Sequence, residues 1–513
     1  MKKIILLLVL VLFVFNCNSK KESKDTQINH ALTKKYEPNW DSLSKHNAEA
    51  EWLKDAKLGI YFHWGPYSVP AFGNEWYPRN MYLTGSKPNK HHINTYGSPE
   101  KFGYHDFVPM FTADHFDAEN WAELFELAGA KFAGPVAEHH DGFSMWDSEV
   151  TPWNAMDKGP KKDVLGDLFK ALEKRNLKTI ATFHHARNLQ RYKDSWENEI
   201  KDSIHRRSFR SSHYPYLPEF QEIFDDPKYR LLYGSVPEDE WNEKIWLGKL
   251  KEVIDKYKPD IIWFDSWLDQ IPETYRQQFS AYYLNAAEDW DKEVVIVRKQ
   301  NDLPLEISIN DHEKSREPKA LKELWMTDDT FSTGSWCYTD DLVIKPTDKV
   351  LHALIDAVSK NGILLLNISP MSNGIIPDNQ RKGLLELGKW LKINGEAIYN
   401  TRPWINAAEG PTAEPSGGFK DHKKFLGIEY TSKDIRYTVS KDGKTVYAMT
   451  LGIPENNEEI ILKTFASENV KVKGVSTLSG ASYPWEMTDG GLKIESKNNG
   501  NNYAQVYRIT LDK

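Results

Sequence analysis

Pro259-Asp-Ile-Ile-Trp-Phe-Asp265 is a short apolar run closed by a carboxylate. A run of this length reads as a buried strand. The same texture recurs at 59–62, 132–137, 179–183, 294–297, 307–309, 324–326 and 363–366. Helical patterns lie between several of these runs, as at 118–128, 164–175, 246–257 and 350–359. Strands alternating with helices predict an α/β fold with a parallel sheet. Eight of them predict a (β/α)8 barrel, a TIM-like fold, spanning residues 46–400.

The strand ends carry the chemistry. The first run ends at His63-Trp-Gly65, the second enters Glu138-His-His-Asp-Gly142, and the third meets His184-His185. The fourth ends at Asp265 and the fifth at Arg298. In a barrel of this kind the C-terminal ends of the strands build the active site. The long Pro- and aromatic-rich connections 65–115 and 188–240 fall on the same face and are expected to wall a cleft.

Around this body the chain changes character twice. Residues 1–17 hold Lys2-Lys3, an apolar run from Ile4 to Phe15, and Cys17. Twelve apolar residues fall short of the ~20 that span a bilayer, so the segment reads as a signal peptide. The polar stretch that follows Cys17 resembles that of a bacterial lipoprotein, in which the cysteine is lipidated. Cleavage without lipidation is the alternative. The expected location is therefore outside the cytoplasm, with the membrane reached only through a lipid anchor. Residues 18–45 read as a polar tether. Beyond residue 400, short alternating runs such as Ile435-Arg-Tyr-Thr-Val-Ser440 are separated by Gly, Asn and Asp turns. They predict a β-sandwich over 401–513, with a structural buttress favoured over a sugar-binding role.

Composition narrows the function. The net charge of −8 is spread without a basic block, which leaves nucleic-acid binding without its electrostatic footprint. The two cysteines, Cys17 and Cys337, leave one thiol-bearing position in the mature chain and no intramolecular disulfide. Aromatic residues make up 12%, with 18 Trp, and sugar-binding clefts stack rings on such faces. A large Trp-containing core is the competing explanation.

Cleaving a glycosidic bond takes two carboxyl groups, one to protonate the leaving oxygen and one to attack the anomeric carbon or activate water. Asp265, between Phe264 and Trp267, suits the second task; a helix N-cap is its bland alternative. His63, His139, His140 and His184 can bond sugar hydroxyls or ligate a metal. Neither His-x-His nor His-Glu-x-x-His spacing is present, so sugar binding is favoured and no metal or cofactor is expected. A metal-dependent hydrolase and a catalytically silent sugar-binding lipoprotein stand as competing functions.

Taken in order, these motifs resemble glycoside hydrolase family 29, the α-L-fucosidases. The similar segments are Ala56-Lys-Leu-Gly-Ile-Tyr-Phe-His-Trp-Gly-Pro-Tyr-Ser-Val-Pro-Ala71, Glu75-Trp-Tyr77, Glu138-His-His-Asp-Gly-Phe143, the Asp265 strand, Asn361-Gly-Ile-Leu-Leu-Leu-Asn-Ile-Ser-Pro370 and Gly374-Ile-Ile-Pro377. The resemblance implies a retaining enzyme that acts on fucosylated oligosaccharides or polysaccharides. It implies Asp265 as nucleophile, and His63, Glu75, Trp76, His139 and His140 as holders of the fucose ring. His184 stands where many relatives carry Tyr. Trp263, Arg298 and Trp336 align with residues lining the pocket. The acid/base is expected among Glu306, Glu313, Glu317 and Glu323. The spacing that the resemblance implies, about a dozen residues before Trp325, selects Glu313, with Asp328 or Asp329 as the alternative.

Overall fold

Each apolar run forms a strand with both faces covered. In this computed structural model, which describes residues 35–191, 212–466, 470–498, 500 and 502–512, eight parallel strands pair in chain order. They are β1 (Leu58–Phe62), β2 (Phe132–Glu138), β3 (Lys178–Phe183), β4 (Ile261–Phe264), β5 (Val295–Arg298), β6 (Ile309–Asp311), β7 (Trp325–Thr330) and β8 (Gly362–Ile368). β8 pairs with β1, Leu364 opposite Leu58, and closes the barrel.

Alternation along the strands sorts the side chains into two layers. Tyr61, Val136, Ile180, Ile261, Trp263, Val295, Val297, Ile309, Met326 and Leu365 pack together inside the barrel. Phe62, Phe183, Ile262, Phe264, Ile296 and Leu366 pack outward against the helices. Continuing the inward phase past the strand ends reaches His63, His184, Asp265, Lys299 and Glu313, and within β8 it reaches Asn367. β2 breaks the phase: its register slips between Val136 and Glu138, as an inserted residue does. Glu138 therefore faces the helix Leu247–Tyr257, where Lys249 Nζ lies 2.7 Å from both its oxygens. His139 and His140 follow beyond the strand end.

Three expectations need correction. β6 begins two residues later than the apolar pattern suggests, and β7 runs on through Thr330. Asp311 and Asp328 lie in these strands because this part of the barrel interior is polar, whereas Thr327 and Asp329 alternate to the outer face, beside Lys345 and Lys349. The tether does not extend to residue 45. Tyr36 exchanges backbone hydrogen bonds with the Asn285 side chain at 2.9 and 2.8 Å, and Leu43 is fully buried. Residues 35–45 are thus part of the folded body. Cys17, the leader and the rest of the tether lie outside the described residues.

The C-terminal region opens with β9 (Thr401–Glu409). With β10 (Ile435–Ser440), β11 (Thr445–Thr450), β13 (Lys471–Ser476) and β16 (Gln505–Asp512) it forms an antiparallel sheet ordered β13-β16-β11-β10-β9. A second sheet, β12-β15-β14, comprises β12 (Glu459–Leu462), β14 (Trp485–Thr488) and β15 (Gly491–Glu495). Tyr437, Val446 and Ile509 from one sheet pack on Ile460, Leu492 and Ile494 from the other. Arg436 anchors this sandwich to the barrel through buried Asp356 of the helix Thr347–Ser359. Among the described residues no helix is long and apolar enough to cross a membrane.

Candidate active site

The inward phase of the barrel ends in a cavity of about 160 Å³. Pockets for drug-sized ligands run to roughly 300–1,000 Å³, so this one suits a single sugar ring. His63, Glu75, Trp76, His139, His140, His184, Asp265, Glu313 and Trp336 all line it. Arg187, Ser266, Trp267, Lys299 and Asp328 complete the wall. Trp263 lies beneath the wall: it is fully buried and donates Nε1–H to Asp311 at 2.8 Å. Its ring supports His184, 5.2 Å between centroids, and Lys299, 4.9 Å from ammonium to centroid.

Arg298 is not in the cavity. Its guanidinium turns to Ser308 Oγ (3.2 Å) and Asn301 Oδ1 (3.1 Å). Its neighbour Lys299 enters the cavity instead. The reason is strand phase: Val295 and Val297 point inward, so 298 points outward and 299 inward. That alternation was legible in Val295-Ile-Val-Arg-Lys299 and is the signal that identifies the lysine.

Asp265 is held from both sides. Lys299 Nζ lies 3.1 Å from Oδ1. His140 Nε2 and His184 Nδ1 lie 3.2 and 3.5 Å from Oδ2. Burial pushes this carboxyl up, but the ammonium and the two imidazoles outweigh it and hold it well below the ordinary carboxylate range. Lys299 also lies 2.9 Å from Glu313 Oε2 and 3.1 Å from Asp328 Oδ2. Burial lowers the lysine, yet Asp328, Glu313, Asp265 and Asp311 together hold it well above its usual value.

Burial keeps His63, His139 and His140 neutral at pH 7. Burial and neighbouring imidazoles push His139 well down, and burial, helped by His184, does the same to His63. Burial brings His140 down to about 4 against the pull of Asp265. Asn367 Oδ1 accepts from the His63 backbone N–H (2.9 Å) and from Nδ1 (2.8 Å). An amide oxygen only accepts, so Nδ1 carries the proton and Nε2 is the free acceptor. Glu75 accepts from the Trp336 N–H at 3.1 Å, and burial raises its carboxyl. Among the described residues two triads have metal-ligand spacing, His63–His139–His184 and His140–His184–Asp265, with ligand atoms within 4.8 Å of one another. The second would consume the carboxylate that the lysine holds ready.

Of the glutamates between Arg298 and Trp325, only Glu313 lines the cavity. Glu306 and Glu323 are exposed, and Glu317 bonds His312 at 2.5 Å. Asp329 pairs with Lys345 at 2.7 Å, outside the wall. Asp328 lines the cavity, but its side chain is 1% exposed against 28% for Glu313. Burial, with Asp311 beside it, drives Asp328 well above the ordinary range. A group serving the leaving oxygen and then water must reach the open side, which favours Glu313. At the rim, the Arg187 guanidinium lies 4.6 Å from the Trp76 ring and 5.0 Å from that of Trp267.

The carboxyl pair Asp265 and Glu313 on one sugar-sized cavity, with indoles to stack on a ring and imidazoles to bond its hydroxyls, is the equipment of a glycoside hydrolase. A model of the family described as Alpha-L-fucosidase matches residues 24–396. The tissue alpha-L-fucosidase of Homo sapiens is 30% identical over 473 residues, 88% of this chain and 84% of that protein. The alpha-L-fucosidase of Branchiostoma floridae is 28% identical over 455 residues, 82% of this chain and 85% of that one. The crystal structure of Thermotoga maritima alpha-fucosidase in complex with fucose superposes with a TM-score of 0.71 at 26% identity. It covers 93% of this chain and 100% of that one. The chain belongs to the alpha-L-fucosidase family.

Proposed function

We propose that this chain is a retaining α-L-fucosidase that removes terminal α-L-fucosyl groups from glycans. The observation that carries the reading is the shared ammonium. Asp265 Oδ1 and Glu313 Oε2 lie 3.1 and 2.9 Å from the same Lys299 Nζ, so they are at most 6.0 Å apart. Retaining glycosidases hold their carboxyl groups ~5–5.5 Å apart, and inverting ones ~6.5–9.5 Å, to leave room for water.

In this reading His63, His139, His140, His184 and Glu75 bond the fucose hydroxyls, and Trp76 and Trp336 bound its ring. Asp265, held ionised, attacks C1 opposite the leaving oxygen, and Glu313 gives that oxygen its proton. Water then attacks C1, Glu313 takes the water proton, and Asp265 departs as a carboxylate. Two inversions give retention. The roles are tested by azide rescue with an aryl α-L-fucoside. Asp265→Gly should yield the β-fucosyl azide and Glu313→Ala the α-anomer. An α-azide from Asp265→Gly, or no azide product from Glu313→Ala, would overturn the assignment.

The leader supports a location outside the cytoplasm, anchored through lipid on Cys17. Cys17→Ala should abolish fatty-acid labelling and leave the protein out of the membrane fraction. Unchanged labelling would exclude that anchor.

A further inference from the structure

Lys299 is buried to 6% exposure and places one ammonium 2.9–3.1 Å from three carboxyl groups. An ammonium has three N–H donors on a single point charge, whereas a guanidinium spreads its donors over a planar fork. Three carboxyls from β4, from the turn after β6 and from β7 can therefore converge on one lysine nitrogen. The surroundings of each partner differ. Asp265 also meets His140, His184 and the field of Arg187. Asp328 accepts from the Tyr61 hydroxyl at 2.9 Å, and its N–H donates to Asp311 at 3.0 Å. Glu313 has Lys314 beside it and faces the open cavity.

We propose that Lys299 is a positioning residue whose charge passes from Asp265 to Glu313 during the reaction, setting the proton state of the acid/base in each half. This rests on the assignment of Asp265 and Glu313 given above. With Asp265 ionised, the ammonium is largely offset by that carboxylate, and Glu313 keeps the proton it must deliver. Attack of Asp265 on C1 forms an ester and breaks the C1–O bond, while the Glu313 proton moves to the departing oxygen. The Asp265 charge is then gone. The same ammonium is left facing Glu313, which it favours as the carboxylate needed to take a proton from water. When water adds to C1 the ester bond breaks, its electron pair returns to Asp265, and the ammonium is offset again.

The second half-reaction therefore depends on Lys299 more than the first. The test is Lys299→Met, with Lys299→Arg as the charge-conserving variant, assayed on an aryl α-L-fucoside with a good leaving group. For Lys299→Met, kcat should fall by about 100-fold or more, with a much smaller fall in kcat/KM. A pre-steady-state burst of phenol should appear as the covalent intermediate accumulates. The acid limb of kcat should move up by about one to three pH units, the effect of an opposite charge at this range. Lys299→Arg should return the limb towards the wild-type position. Lys299→Gln carries the same test if the Met variant does not accumulate. Equal falls in kcat and kcat/KM, with no burst and an unmoved acid limb, would overturn the proposal and leave Lys299 a sugar-binding or structural group. Failure of the carboxylate assignment itself would show separately, as the wrong azide anomer from Asp265→Gly or Glu313→Ala.

Discussion

The backbone N–H of Arg316 donates to the carbonyl oxygen of Gly417 at 2.7 Å. Arg316 follows Glu313 by three residues, and Gly417 belongs to the C-terminal region. The Arg316 guanidinium also lies 4.2 Å from the Phe425 ring. The C-terminal region thus clamps the turn that holds Glu313, which gives the predicted buttress a catalytic consequence.

Gly417 has φ +91, and a Cβ there would meet the Arg316 carbonyl oxygen at 1.9 Å. Gly417→Ala should therefore displace the Glu313 turn. The left-handed backbone alone costs a non-glycine residue about 1–2 kcal/mol. The expected outcome is a lowered kcat with a cooperative thermal transition retained. Unchanged kcat would show that the turn holds Glu313 without the clamp.

The buried pair Glu138–Lys249 should be the most expensive to break of the ion pairs flanking the site. Both side chains are at most 1% exposed. Removing one partner strands a charge away from water, at a cost of about 3–5 kcal/mol. Lys249→Met should lower the denaturant midpoint accordingly, and the double variant Glu138→Gln/Lys249→Met should recover part of the loss. A single variant as stable as the wild type would refute the account of the β2 bulge as a point that turns Glu138 to the helix.

Acid should destabilise the fold in a defined window. Burial lowers His46 and His140 from 6.5 to about 4, and drives His63, His139, His185 and His213 well below 6.5. The unfolded chain takes up protons below about pH 6.5 while the folded chain does not, so stability present above pH 6.5 is lost as pH falls towards 4. Asp141 and Asp302, raised by burial to about 7 and about 6, take up protons in the folded chain over the same window and offset part of that loss. Urea midpoints measured from pH 7.5 to 4.5 should fall steadily below 6.5. A profile that did not fall would mean that these imidazoles carry protons in the folded state or that the buried carboxyls outweigh them.

Chelation should leave the rate unchanged, since the mechanism uses carboxyl groups. Added Zn²⁺ should inhibit competitively with the fucoside, because His63, His139 and His184 place imidazole nitrogens within 4.8 Å of one another and zinc takes such ligands. Excess chelator should reverse the inhibition. Activity lost on chelation and restored by Zn²⁺ would instead establish a metal-dependent hydrolase.

Much of this architecture was written along the chain. Eight apolar runs separated by amphipathic helices specify a barrel because each strand must hide two faces. The residues that follow those runs fall at one rim because parallel strands share a direction. Local pattern was therefore enough to select Asp265, His63 and His184. It was enough for Lys299 too, had the alternation from Val295 been carried two residues further than Arg298. Other features depended on the folded chain. The β2 bulge that turns Glu138 away from the cavity comes from pairing with β3, which no local pattern records. The convergence of Asp265, Glu313 and Asp328 on one ammonium joins three separate strands, and charges meet through space rather than along the sequence. The same holds for the clamp of Gly417 on Arg316, where residues a hundred positions apart fix the turn carrying Glu313.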